Sequence, residues 1–160
     1  MIVKGLRDED FLQYKLPSML VAFPSCTFKC EKECSCAGMC QNSSLMKSPN
    51  IEISSEAIVN RYLSNPITKS LVCGGLEPFD TFGQLLELLC KFREKSDDVV
   101  IIYTGYYKYE IEKERLDILI KYVPNLLIKW GRYIPNQQPH YDNILGIELA
   151  SDNQYAEKIS

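Results

Sequence analysis

Seven cysteines occur in these 160 residues, and five of them fall inside one stretch, Pro24 to Asn42, PSCTFKCEKECSCAGMCQN. Cys26 and Cys30 stand three residues apart, Cys40 closes the stretch, and Cys34 and Cys36 lie between. Thiols this dense serve a metal centre or disulfides rather than packing. Thiolates select iron–sulfur clusters, zinc or copper(I). A zinc site asks for two closely spaced ligand pairs, and Cys26/Cys30 with Cys36/Cys40 meet that count. A [4Fe–4S] cluster held by only three cysteines leaves one iron open to a substrate. Cys26, Cys30 and Cys40 would supply such a set, with Cys34 and Cys36 on a looped-out insertion.

The rest of the composition narrows the choice. A net charge of −3 with scattered lysines is not a nucleic-acid footprint, which needs basic residues clustered on one face. No apolar run approaches the ~20 residues of a membrane span. The N-terminal MIVKGLRDEDF is charged early and lacks the apolar core of a signal peptide. A cytoplasmic protein is the expectation, and there thiols stay reduced, which demotes disulfides. The odd cysteine count points the same way.

The elements that must position the thiols follow from hydrophobic patterning. Residues 1–16 read as an N-terminal arm with one short strand. Ser18 to Phe23 is a buried strand closed by Pro24. Ser43 to Asn50 reads as loop. A helix capped by Ser54 or Ser55 runs to Asn65-Pro66. Ser70 to Cys73 is a strand entering Gly74-Gly75, and Asp80 or Thr81 caps the amphipathic helix of Phe82, Leu85, Leu86, Leu89 and Phe92. Val99 to Tyr103 is a strand ending in Thr104-Gly105, Glu110 to Tyr122 a helix, and Leu126 to Trp130 a fourth strand. Strands alternating with helices predict an α/β fold with a mostly parallel sheet. Four strands are too few for a closed barrel, so a partial βα barrel is expected. Its site lies at the strands' C-terminal ends, where the cysteine loop, Gly-Gly-Leu-Glu-Pro and Thr-Gly-Tyr all fall. Residues 131–160 read as an irregular C-terminal extension of a single domain spanning 1–160, with Ile144 to Leu149 as a last strand. Cys73 and Cys90 read as core residues, and His140 as a surface residue.

These motifs resemble the radical S-adenosylmethionine superfamily. Its usual signature is Cys-x3-Cys-x2-Cys after the first strand. Cys26-Thr-Phe-Lys-Cys30 is similar to the first half, and Cys40-Gln-Asn resembles the Cys-His-Asn with which many members end it. Nine residues, not two, separate Cys30 from Cys40. Met39 stands where the family has an aromatic against the adenine. Gly75-Leu76-Glu77-Pro78, preceded by Gly74, resembles the family's Gly-Gly-Glu-Pro, whose backbone and acid hold the substrate's amino group. Tyr103-Thr104-Gly105-Tyr106 is similar to a stretch in the activating proteins of anaerobic ribonucleotide reductase. Trp130-Gly131-Arg132-Tyr133 resembles their Asp-Gly-x-Phe, and Ser151-Asp152-Asn153-Gln154 their closing Ser-Ser-Asn-Gln.

The resemblance implies metal ligands Cys26, Cys30 and Cys40, and cofactor contacts at Met39, Gly74, Gly75, Glu77, Thr104 and Gly105. It implies a [4Fe–4S] cluster and S-adenosyl-L-methionine as cofactors. It implies a reductant such as flavodoxin or ferredoxin, and a larger glycyl-radical protein as partner. Three alternatives stay open: a radical enzyme acting on a small molecule or peptide, a zinc-binding interaction module, and a simple electron carrier with a fourth protein ligand.

Overall fold

The computed structural model describes residues 1–160 apart from Cys36, Ala37, Met39 and Gln41; at Cys34 it describes the backbone alone. The expectations for Met39, for Cys36 and for a Cys34 ligand therefore lie outside the described residues. In chain order, β1 is Ile2–Val3, β2 Gly5–Asp10 and β3 Ser18–Phe23, followed by α1 Lys29–Cys34 and α2 Ser43–Lys47. Then come β4 Ile51–Glu52, α3 Ser55–Leu63, β5 Ser70–Gly75, α4 Phe82–Arg93, β6 Val99–Tyr103, α5 Lys113–Tyr122 and β7 Leu126–Trp130. The chain ends with β8 His140–Asp142, β9 Ile147–Leu149 and β10 Tyr155–Lys158.

Six strands form the central sheet in the order β10-β7-β6-β5-β3-β2. The inner four, β3, β5, β6 and β7, are parallel, and the outer two are antiparallel to their neighbours. The fold is thus mixed α/β with a mostly parallel sheet that stays open. The parallel strands are the four short apolar runs of the sequence. Each is buried because successive side chains point to opposite faces and both faces are covered.

Those two faces have different partners. Met19, Val21, Leu71, Cys73, Val100, Ile102, Leu126, Ile128 and Trp130 pack on one side with Ile58 and Tyr62 of α3, Leu85, Leu89 and Phe92 of α4, and Leu119 of α5. All three crossover helices share this side, as right-handed connections in a sequentially ordered sheet require. The other side carries Val72, Ile101 and Leu127 with Tyr14, Leu145, Leu149 and Ala156 from the terminal segments. Ser54 caps α3 by accepting the Ala57 amide at 3.1 Å. Thr81 precedes α4 but makes no side-chain cap bond.

Three stretches differ from expectation. The N-terminal arm contributes β2, a full edge strand paired with β3. The C-terminal extension is not irregular throughout: residues 140–149 form the β8–β9 hairpin, and β10 adds to the free edge of β7. GLRDED and YAEK are too charged to read as buried strands, but an edge strand keeps such residues in water. Ser43–Lys47 is a short helix rather than loop, with none of its residues buried.

Phe92 is fully buried and meets Tyr62 edge to face, with ring centroids 4.8 Å apart. Phe92→Ala is expected to cost about 3–5 kcal/mol. Exposed Leu63→Ala should change stability by no more than ~0.5 kcal/mol. Denaturant unfolding of both variants checks the pair; equal midpoints would contradict the packing described.

Candidate functional site

The cysteine loop, the Gly-Gly-Leu-Glu-Pro turn and the Thr-Gly turn follow β3, β5 and β6, whose C-terminal ends lie side by side. They border a cleft of about 670 Å³ running along the sheet face opposite the helices. Cys26, Cys30 and Cys40 all line it, as do Gly74, Gly75, Glu77, Thr104 and Gly105. Every described residue singled out from the sequence as a site residue therefore reaches one cavity.

The spacing from Cys30 to Cys40 has a local cause. Phe28 adopts a left-handed conformation (φ 52°) and opens α1, and Ser35 ends it the same way (φ 51°). Such backbone is uncommon for residues with a side chain and marks a sharply redirected chain. The chain comes back after this helical turn, and Cys40 lies close enough to Cys30 to disfavour its thiolate. The Cys40 amide donates to Glu31 Oε1 at 3.1 Å, and Asn42 Nδ2 donates to the Gly75 carbonyl at 2.6 Å. Helix α1 is latched to the body by Arg132, whose guanidinium is inside the protein. It donates to Glu33 at 2.5 Å and to Glu110 at 2.7 Å. Burial disfavours its charge, but Glu33 and Glu110 outweigh that and raise its pKa.

The thiols favour their protonated form. Burial pushes Cys26 up to about 12, against the relief of the Phe28 amide bonded to its sulfur at 3.3 Å; Glu77, Asp80 and Cys30 push it further. Burial and the neighbouring Cys40 take Cys30 to about 11. No cation is among the groups that shift Cys26 or Cys30, so a bound metal centre would have to displace their protons. Among the described residues, no three Cys, His, Asp or Glu side chains close around a point as a single ion requires. The three thiols line one cleft, and His140 stands apart on β8. Cys73 is buried in the helix-side core as expected, whereas Cys90 on α4 is only half-buried.

Glu77 is 4% exposed and fully engaged. Its Oε1 accepts the Phe79 amide at 3.1 Å and the Thr104 hydroxyl at 2.8 Å, and its Oε2 accepts the Gly105 amide at 2.8 Å. Burial still lifts its carboxyl to about 7, because three donors do not replace water for a charge this deep. Gly75 sits at φ 82°, where a Cβ would lie 2.8 Å from that of Ala22. Glycine there lets the turn cross the end of β3.

Lys129 escaped the sequence reading. It lies on β7 within LLIKW, 6% exposed, and faces the cleft. Its Nζ donates to the Gly131 carbonyl at 2.7 Å and, among the described residues, makes no carboxylate pair. Burial lowers its pKa to about 7, opposed by the charge of Glu77. A charged residue inside an apolar strand run was the available signal. Trp130, the next residue, points the other way. It is fully buried and stacks on Phe79, with centroids 6.3 Å apart.

Lys129 binds a proton in the unfolded chain up to its ordinary pKa of 10.5 but loses it near 7 when folded. Stability should therefore rise with pH between those values, the folded state being penalised below them. Lys129→Met is expected to remove that rise and to stabilise the ligand-free protein near pH 7 by on the order of 1–3 kcal/mol. Denaturant midpoints measured from pH 6 to ~10 check this; an unchanged slope would contradict it.

A family model described as a 4Fe-4S single cluster domain matches residues 18–154, from the start of β3 to the residue before β10. No curated protein and no solved structure gives a significant match. The matched span takes in the whole cysteine loop and every parallel strand, and the chain belongs to the 4Fe-4S single cluster domain family.

Proposed function

We propose that this chain is a radical S-adenosylmethionine enzyme in which Cys26, Cys30 and Cys40 hold a [4Fe–4S] cluster. Its product would activate a larger glycyl-radical enzyme such as anaerobic ribonucleotide reductase. The observation that carries this reading is the meeting of three motif thiols with Glu77 and Lys129 in one cleft. When bound, such a cluster supplies the electron that cleaves the sulfonium C–S bond, giving methionine and a 5′-deoxyadenosyl radical that abstracts hydrogen from a glycine.

The chain's own residues bind and orient. An amino-acid moiety has an ammonium and a carboxylate, and the cleft offers one buried partner for each. Glu77 is fixed by Thr104 and Gly105 and would accept from the ammonium, which in turn favours its ionised form. Lys129 has donors left after its bond to Gly131 and would take the carboxylate. Arg132 has its donors committed to Glu33, Glu110 and the Gly105 carbonyl, so it shapes the wall instead. Leu20, Val72 and Tyr103 line the sheet side of the cleft and exclude water from bound ligand.

Anaerobic reconstitution with iron and sulfide tests the reading. The expected product carries about four irons per chain and, once reduced, releases methionine and 5′-deoxyadenosine from S-adenosylmethionine. Cys26→Ala, Cys30→Ala and Cys40→Ala should each lose cluster and cleavage, while Cys34→Ala keeps both. Glu77→Gln and Lys129→Met should load iron normally and weaken S-adenosylmethionine binding by roughly tenfold or more. Purification with zinc and no cleavage would favour the interaction module, and a loaded cluster without cleavage the electron carrier. Mixing with anaerobic ribonucleotide reductase should give a glycyl-radical signal in electron paramagnetic resonance. Cleavage without that signal would favour a small-molecule or peptide substrate.

A further inference from the structure

Asp80, expected from sequence as a helix cap, is used elsewhere. Its Oδ2 accepts the Thr27 amide at 2.8 Å and its Oδ1 the Tyr106 hydroxyl at 2.5 Å. Thr27 Oγ1 stands 3.4 Å from that same hydroxyl. One carboxylate thus joins the loops that follow β3, β5 and β6. Thr27 is the residue after Cys26. On the other side of Cys26, the Ser25 carbonyl accepts the Glu77 amide at 2.8 Å. The cysteine is therefore pinned by its two chain neighbours, and in both cases the anchoring residue is acidic.

Glu77 and Asp80 both disfavour the Cys26 thiolate. Two cations line a small pocket with Asp80 and Tyr106. Lys29 Nζ lies 4.3 Å from the centre of the Tyr106 ring and pairs with Glu110 at 3.2 Å. Arg115 donates to the Phe79 carbonyl at 3.1 Å and pairs with Glu112 at 2.7 Å. Both are thus paired elsewhere, and among the described residues the groups that donate to Asp80 are the Thr27 amide and the Tyr106 hydroxyl.

We propose that Asp80 is a positioning residue that fixes the Cys26 end of the cluster loop and lowers the reduction potential of a cluster bound there, with Tyr106 moderating its charge. The proposal rests on the reading of Cys26 as a cluster ligand. An added electron makes a cluster more negative, so a fixed carboxylate beside a ligand sulfur disfavours the reduced form. A hydroxyl donating to that carboxylate draws off part of its charge.

The test compares wild type, Asp80→Asn, Asp80→Glu and Tyr106→Phe after anaerobic reconstitution, reading iron content and the cluster midpoint by spectroelectrochemistry. Asparagine keeps an acceptor for the Thr27 amide and removes the charge. Its cluster should be easier to reduce by about tenfold in equilibrium, or about 59 mV for one electron. Tyr106→Phe keeps the charge and removes a donor, so its midpoint should move the opposite way. Asp80→Glu should lie nearer wild type than Asp80→Asn does. If Asp80→Asn fails to load, Tyr106→Phe still decides the electrostatic part. Shifts of the same sign in Asp80→Asn and Tyr106→Phe, or no shift with iron retained, overturn the proposal. A wild-type chain without a four-iron cluster, or a fully loaded Cys26→Ala, sinks the underlying reading instead.

Discussion

Glu77 holds together three loops that the sequence keeps far apart. Its amide reaches back to Ser25 in the cysteine loop, while its carboxylate takes donors from Phe79 in its own turn and from Thr104 and Gly105 after β6. Apart from the local Phe79 bond, none of these bonds exists until β3, β5 and β6 are adjacent, and the parallel pairing of those strands is what makes them adjacent. A carboxylate this deep is costly to ionise, and the donors offset only part of that cost. The cleft thus contains an acid and, on β7, a lysine, both displaced from their usual pKa toward neutrality and both hydrogen-bonded to uncharged groups. Tension of this kind is common where a protein awaits a ligand that supplies the missing charges.

The sheet arrangement explains why the site can be polar without weakening the core. The helices cover one face and bury the larger apolar cluster there, including Trp130 and Phe92. The other face bears a smaller apolar cluster and leaves room at its C-terminal end for thiols, carboxylate and ammonium. Stability and chemistry are therefore assigned to opposite sides of the same four strands.

Much of this was legible in the residues. Runs such as SMLVAF and VVIIY are short, apolar and bounded by turn residues, so strand boundaries could be read closely. The Ser54 cap was local chemistry and so was visible too. Asp80 was misread because its capping alternative is local, whereas its real partners, Thr27 and Tyr106, are long-range. β2 and β10 were missed or under-read because edge strands have no apolar signature. The return of Cys40 to Cys30 depends on α1 and on Arg132 reaching across to Glu33, neither of which a spacing rule contains.

The outer strands have a consequence for handling the molecule in concentrated solution. β2 presents Arg7 and Glu9 to water, and Asp8 pairs with Arg61; β10 presents Tyr155 and Lys158, and Glu157 pairs with Lys108. A second copy seeking to stack edge to edge would have to strip water from these charges before gaining backbone bonds. Fibrous self-association through the sheet is thereby disfavoured.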